Sequence, residues 1–399
     1  MPWRIGLLMA IDCGIASIDF LSCCCGEGKP IHMVGNRIFG LDLLRAYAVL
    51  AVVYAHGYGL LSEVVPHRLY SLPTLDGVSI FFALSGFLIG RILLKVFATD
   101  HVAPADIFVF WCRRWLRTIP NFGVVLVLLI VGSVLLGQHL PDKLWLYFVF
   151  SQNLFSAHPN FFQEAWSLSV EEWFYLTLPV LLLISLRVSL FGKRQTIVMV
   201  ILVGVVGVAA YRSVLALQLD IHSVEAWDAH LRKMVFTRFD ALLFGVGAAY
   251  VALYKHGLVV KWKWWLLVAG LSLLVFDKVF MRVFFSQFYL NHFTLTVTAV
   301  GATLLTLGLS ELVYQERNLI SRLVVGVSKI SYSMYLVHHS LVLWMLLPAL
   351  EKHADEFVRV DSSAVVYLMY WFLTGVISIV LYKCVEKPIM AVRDRHFRA

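Results

Sequence analysis

The sequence predicts an all-α membrane protein, a polytopic bundle of about ten transmembrane helices with both termini in the cytoplasm. Three observations carry this. Hydrophobic residues make up 60% of the 399 and charged residues only 15%, with a mean hydropathy of +0.81; soluble domains lie nearer one half and one quarter. The apolar residues fall in runs close to the ~20 residues that a hydrocarbon core requires. The basic residues concentrate in alternate connections, as the positive-inside rule demands of a membrane protein. The net charge of +8 therefore reads as membrane topology and implies no nucleic-acid partner.

Residues 1–34 read as an N-terminal extension outside the fold. Their apolar run is short, is interrupted by Asp12 and Asp19, and lacks the core and cleavage site of a signal peptide. Translation beginning at Met33 would account for them, and the triple Cys23–Cys25 is the kind of cluster that accepts palmitate. None of the six cysteines has metal-ligand or disulfide-framework spacing. Residues 35–399 read as a single transmembrane domain. Its spans fall at roughly 38–60, 76–97, 119–139, 166–187, 195–217, 237–255, 264–282, 292–313, 329–350 and 363–385. The stretch 143–153 is too short to cross and reads as re-entrant or interfacial. With the N-terminus inside, the inner connections (Arg91, Arg113, Lys193, Lys261, Arg322 and Arg393 among them) hold about twice as many basic residues as the outer ones.

The first span, LDLLRAYAVLAVVYAH over 41–56, carries Asp42, Arg45 and His56. Charges within a bilayer cost several kcal/mol and persist where they face a cavity with work to do. At 100° per residue, the eleven steps from Arg45 to His56 return to within about 20° of one face. Asp42 lies about 40° to the other side, and Arg45 and His56 stand about 16 Å apart along the axis. The result is a polar seam on an apolar rod. A structural Asp–Arg clamp between helices is the alternative use of the same residues.

Six further stretches are polar for their setting. DGVSIFFALSGFLIGR (76–91) contains Ser85-Gly86, a small pair suited to close helix packing. The loop RRWLRTIP (113–120) sets Arg114 and Arg117 three residues apart at a cytoplasmic helix entrance, where they project from one face as a phosphate clamp or as ordinary anchors. EAWSLSVEEWFYLTLP (164–179) holds Glu171 and Glu172, of which one is expected to turn into the bundle and the other toward water or headgroups. TRFDALLFG (237–245) brings Arg238 and Asp240 to the edge of a span. ISYSMYLVHHSLV (330–342) carries Ser331, Tyr332, Tyr335, His338 and His339, and VEKPIM (385–390) closes the last span with Pro388 as a helix stop. No HExxH, phosphate loop or GxSxG elbow is present, and no metal is expected.

Taken in order, these stretches resemble membrane acyltransferase family 3, the integral-membrane O-acyltransferases that modify bacterial surface polysaccharides. Arg45 and His56 match that family's Arg-x10-His opening helix, and FFALSGFLI is similar to its second. Arg114, Arg117 and Pro120 resemble its RxxR segment, and Trp166, Ser167, Ser169 and Glu171 its WSLSVE motif. Ser331, Tyr332, Tyr335 and His338 look like its SYxxYLxH helix, and Glu386 and Pro388 its closing motif. The chain departs from it at His339-Ser340, where Trp-Pro is common, and at Trp173, where Gln is frequent; both departures bear on the acceptor pocket.

The resemblance implies a multi-pass enzyme of the bacterial cytoplasmic (inner) membrane. It would move an acyl group, most often acetyl from acetyl-CoA, to a hydroxyl of a sugar in a surface or exported glycan, possibly lipid-linked. On that reading Arg114 and Arg117 hold the phosphates of acyl-CoA. The other expected substrate-binding residues are Asp42, Ser331, Tyr332, His338 and Arg238. His56 is the candidate general base, oriented by Glu171 or Asp42, and Arg45 or Tyr332 is the candidate stabiliser of the oxyanion. Direct transfer and an acyl-histidine intermediate both remain open. A polysaccharide exporter would also place a polar seam at mid-membrane, and a small glycosylated metabolite is an alternative acceptor.

Overall fold

In hydrocarbon every backbone N–H and C=O must be satisfied within its own segment, so a chain this apolar folds as helices with short links. The computed structural model describes residues 37–61, 74–99, 102–312, 318–354 and 363–397, and among them no strand forms. The long helices are α1 Phe39–Gly57, α2 Gly77–Ala98, α3 Pro104–Leu135, α4 Ala165–Val188 and α5 Lys193–Gln218. They continue as α6 Phe239–Tyr254, α7 His256–Val283, α8 Leu295–Leu309, α9 Leu319–Val337 and α10 Ser363–Leu381. Each predicted span overlaps one of them, with boundaries that differ most at α3 and α9. Eight stretches are long and apolar enough to cross a membrane, fewer than the ten expected, and α6 is a shorter apolar helix. The expected N-terminal extension and the Met33 start lie outside the described residues.

Two expected boundaries are corrected. Residues 113–120 are not a loop at a helix entrance but lie inside α3, a helix of 32 residues that includes Pro120. At 1.5 Å per residue α3 is about 48 Å long, well beyond a hydrocarbon core. The basic cluster is tolerated there because Arg114 and Arg117 line a cavity. Likewise Pro388 does not stop the last helix. A π-helical turn at Tyr382–Glu386 leads into Lys387–His396, in which Pro388 sits in the first turn, where its missing N–H costs nothing. Residues 143–153 form only the short helix Trp145–Phe148. From there Gln152 and Asn153 donate to the carbonyls of Ala165 and Trp166 and pin the segment to the start of α4.

Packing is tightest where small residues let backbones meet. A Cβ at Gly86 would lie 2.1 Å from the Leu242 carbonyl oxygen, and one at Gly245 would lie 2.3 Å from that of Ala83. The α2–α6 crossing thus depends on both glycines, as the Ser85-Gly86 pair suggests. The clashing atoms are backbone, so the cost of overpacking reaches or exceeds the usual ~1–3 kcal/mol. Gly245→Leu is expected to lower the thermal midpoint of the detergent-solubilised protein by several degrees or abolish folded material, and an unchanged melt would refute the dependence. Around this crossing, α8 packs on α2 and α6, α7 on α8, and α1 on α9.

Candidate active site

Five helices turn polar side chains into one cavity with about 800 Å³ of empty space. Arg45 enters from α1, Ser85 from α2, Arg114, Arg117 and Thr118 from α3, Glu171 and Tyr175 from α4, and Ser331, Tyr332 and Tyr335 from α9. The i, i+3 and i, i+4 spacings of these residues put them on one face of each helix. The Glu171 carboxylate accepts from Ser85 Oγ (2.9 Å) and the Tyr175 hydroxyl (2.7 Å). Arg114 lies 5.9 Å over the Tyr175 ring. Neither Arg114 nor Arg117 forms an ion pair among the described residues, whereas Arg45 lies 3.8 Å from Asp42. Asp42 also accepts from Ser328 Oγ at 2.6 Å, which locks α1 to α9. Three guanidiniums therefore face a cavity containing one carboxylate, a local field that favours an anionic guest.

Glu172 does not meet water or headgroups. It is buried and accepts from Thr118 Oγ1 at 2.7 Å. The Tyr332 hydroxyl donates to the Thr118 carbonyl at 2.8 Å, so in this state its proton is committed to the backbone rather than to an oxyanion. Glu386 of the closing motif accepts from Asn121 and Ser333, both at 3.1 Å, and ties the chain's end to α3 and α9.

His56 opens into a second cavity, with about 860 Å³ of empty space. Asp76, Trp227, Arg232, Asp277 and Lys278 also line it, and Val78 lines both cavities. Among these, Asp76 is the N-cap of α2. Its oxygens cap α2 through Val78 N (3.1 Å) and Ser79 Oγ (2.7 Å).

The histidines determine one another's protonation. His338 Nδ1 lies 2.8 Å from the Tyr335 carbonyl and must donate to it, so in the neutral ring Nε2 is an acceptor. That nitrogen sits 3.1 Å from His56 Nδ1, which in turn lies 2.9 Å from the Val52 carbonyl. His56 Nδ1 therefore carries the hydrogen, shared between these two acceptors, and its Nε2 keeps a lone pair. His338 begins a π-helical stretch, His338–Leu346. The wider turn is of the sort found at functional positions, and here it brings both His338 and His339 against His56, with ring centroids at 5.0 and 4.6 Å.

The expected pairing of Glu171 or Asp42 with His56 is not formed. Glu171 is bonded to Ser85 and Tyr175, Asp42 to Ser328, and the imidazole is oriented by Val52 and His338 instead. Arg45 and His56 share a helix face but open into different cavities. Arg238 is fully buried, donates to Ser79 Oγ at 2.8 Å, lies 5.3 Å over the Phe82 ring and lines neither cavity. Glu164, a residue the sequence reading passed over, is the carboxylate nearest the histidines. It accepts from Ser340 N at 3.0 Å and lies 3.9 Å from His339 Nδ1. Its place seven residues before Glu171 on the same helix face was the available signal.

His158, in the link before α4, has both ring nitrogens buried with no hydrogen-bond partner among the described residues and stands edge-on to Tyr147. Burial pushes it down to about 3, and the Lys233 charge adds to this. A histidine with a depressed folded value gives stability that is complete above its unfolded value of about 6.5 and lost as pH falls. The detergent-solubilised protein is thus expected to lose thermal stability between about pH 6.5 and 4, less steeply in His158→Phe. Parallel profiles for the two proteins would refute the assignment.

A family model described as an acyltransferase domain matches residues 38–383. The chain is similar to an O-acetyltransferase named OatA from Staphylococcus aureus, at 27% identity over 90% of this chain and 58% of the relative. It is also similar to a peptidoglycan O-acetyltransferase named OatA from Listeria monocytogenes, at 29% over 41% of this chain and 26% of the relative. The chain thus spans little more than half the length of the first of these relatives. No solved structure matches. With nearly all of the helical region matched, and five of the six motifs lining two adjoining cavities, the chain belongs to this acyltransferase family.

Proposed function

We propose that this chain is an integral-membrane O-acetyltransferase that moves acetyl from acetyl-CoA to a hydroxyl of a sugar in a surface or exported glycan. Its domain takes in residues 35–399, spans a bacterial cytoplasmic membrane several times and keeps both termini in the cytoplasm. The observation that carries the reading is the His56 imidazole: Nδ1 is tied to Val52 and His338, and the Nε2 lone pair is left over on a ring that lines a cavity.

On this reading the phosphates of the cytosolic donor lie against Arg114 and Arg117, and its pantetheine arm passes Arg45 and the shared Val78 wall toward His56. The acceptor hydroxyl enters the second cavity. Its oxygen attacks the thioester carbonyl carbon as its proton passes to His56 Nε2. The tetrahedral oxyanion then collapses, the carbon–sulfur bond breaks, and the proton on His56 returns to the leaving thiolate, giving the sugar ester and free coenzyme A. The test is thiol release from acetyl-CoA by the purified full chain in nanodiscs. Thiol should appear slowly without acceptor and faster with a glycan, with acetyl recovered on the sugar. An exporter would release none.

A further inference from the structure

A third cavity, lined in part by His339, has about 1,020 Å³ of empty space. Its walls include Gln138, His139, Asn160, Gln163, His339 and Trp344, and no aspartate, glutamate, lysine or arginine lines it. We propose that this cavity is a second sugar subsite, holding the unit next to the one acetylated, so that the acceptor is an oligosaccharide rather than a single sugar. The proposal rests on the acetyltransferase reading above and adds where and how the glycan is held.

Three features point to an uncharged, hydroxyl-rich guest. First, beside the apolar Leu129, Phe161 and Met345 and the hydroxyls of Ser133 and Ser340, the lining is planar amides, imidazoles and an indole, which match sugar hydroxyls and acetamido groups in hydrogen-bonding capacity while offering no charge to pair. That capacity is largely unspent. Gln163 Nε2 donates to Asn160 Oδ1 at 2.6 Å, which leaves the Gln163 carbonyl and the Asn160 amide hydrogens without partners among the described residues. Second, Trp344 has its indole N–H committed to His339 Nε2 at 3.1 Å and is 65% exposed. An indole ring is a surface on which the apolar face of a pyranose stacks. Third, the wall nearest the chemistry is fixed. Ser340 is held by Glu164, and its Oγ accepts from Gln163 N at 2.9 Å.

The cavity is also in register with the reaction. His339 is its wall on one side and meets the His56 ring on the other, at 4.6 Å between centroids. A glycan crossing this pair of rings would present one unit to His56 and its neighbour to the amides. His339 and Ser340 are the positions where the chain departs from the Trp-Pro of its family resemblance, so the subsite belongs to this chain's own residues.

The test compares monomer and dimer of β-1,4-linked N-acetylglucosamine as acceptors for the full chain in nanodiscs, with labelled acetyl-CoA. The wild type should favour the dimer at least ten-fold in kcat/KM, and Asn160→Ala/Gln163→Ala should bring that ratio near one. A ratio near one in the wild type, or one unchanged by the substitutions, overturns the subsite. A second measurement needs no chemistry: a fluorescently labelled trimer, without acetyl-CoA, should bind the wild type and lose at least ten-fold in affinity in the double variant. Failure of the wild type to acetylate any sugar would count against the acetyltransferase reading alone. Absent trimer binding, or binding indifferent to the substitutions, counts against the subsite, as does displacement of the trimer by short-chain phospholipid, which would make the cavity a lipid site.

Discussion

His56→Ala lowers acetyl transfer to the glycan by about 10³-fold, within the range that a positioned general base contributes, while coenzyme A binding and expression remain near wild type. The separation follows from the geometry. His56 stands in the second cavity, away from the guanidiniums that would hold the donor, and its lone pair belongs to Nε2 because Val52 and His338 claim Nδ1. His338→Ala removes one of these two acceptors but leaves Val52, so its effect should be smaller, about ten- to a hundred-fold. Equal losses at the two positions would mean that the imidazoles act as one unit. A His56→Ala enzyme keeping more than about a tenth of its activity would remove the base from the mechanism, since even the weakest such catalysts are worth about 10².

Arg114→Ala and Arg117→Ala each weaken coenzyme A binding by about ten- to a hundred-fold, the equivalent of one charge-assisted hydrogen bond of roughly 1.5–3 kcal/mol. Neither arginine forms an ion pair with another described residue, so the loss reads as ligand contact and not as a broken ion pair. Arg→Lys should recover only part of the affinity, because an ammonium cannot give the two parallel bonds of a guanidinium. Equilibrium binding of labelled coenzyme A to the wild type and to the alanine and lysine variants checks both points. Unchanged affinity in Arg114→Ala and Arg117→Ala would leave these residues as part of the helix's own packing.

How far the sequence revealed this can be followed residue by residue. The apolar periodicity placed all ten helices, because in a membrane the backbone has no other way to satisfy itself. It misjudged α3, where charge and Pro120 looked like a boundary although the arginines had a cavity to face. Helical spacing put Arg45 on the polar seam of α1 and Arg114 and Arg117 on one face of α3, the family resemblance singled out Glu171, Ser331 and Tyr332, and all six share a cavity. Spacing along one helix cannot say which side chains meet across helices. The Glu171–His56 pairing therefore failed, and Glu164, which reaches Ser340 across 176 positions, went unseen. The π-helical turn at His338 is equally invisible to a 3.6-residue period, and it is what delivers two more imidazoles to His56.

The account stands or falls on where the thioester ends. A structure of the full chain in nanodiscs with a non-hydrolysable acetyl-CoA analogue would show it directly. The expected result has the phosphates against Arg114 and Arg117 and the carbonyl carbon within about 3.5 Å of the position a hydroxyl takes beside His56 Nε2. An analogue whose carbonyl stops in the first cavity, or whose phosphates lie among Arg232 and Lys278 instead, would contradict it.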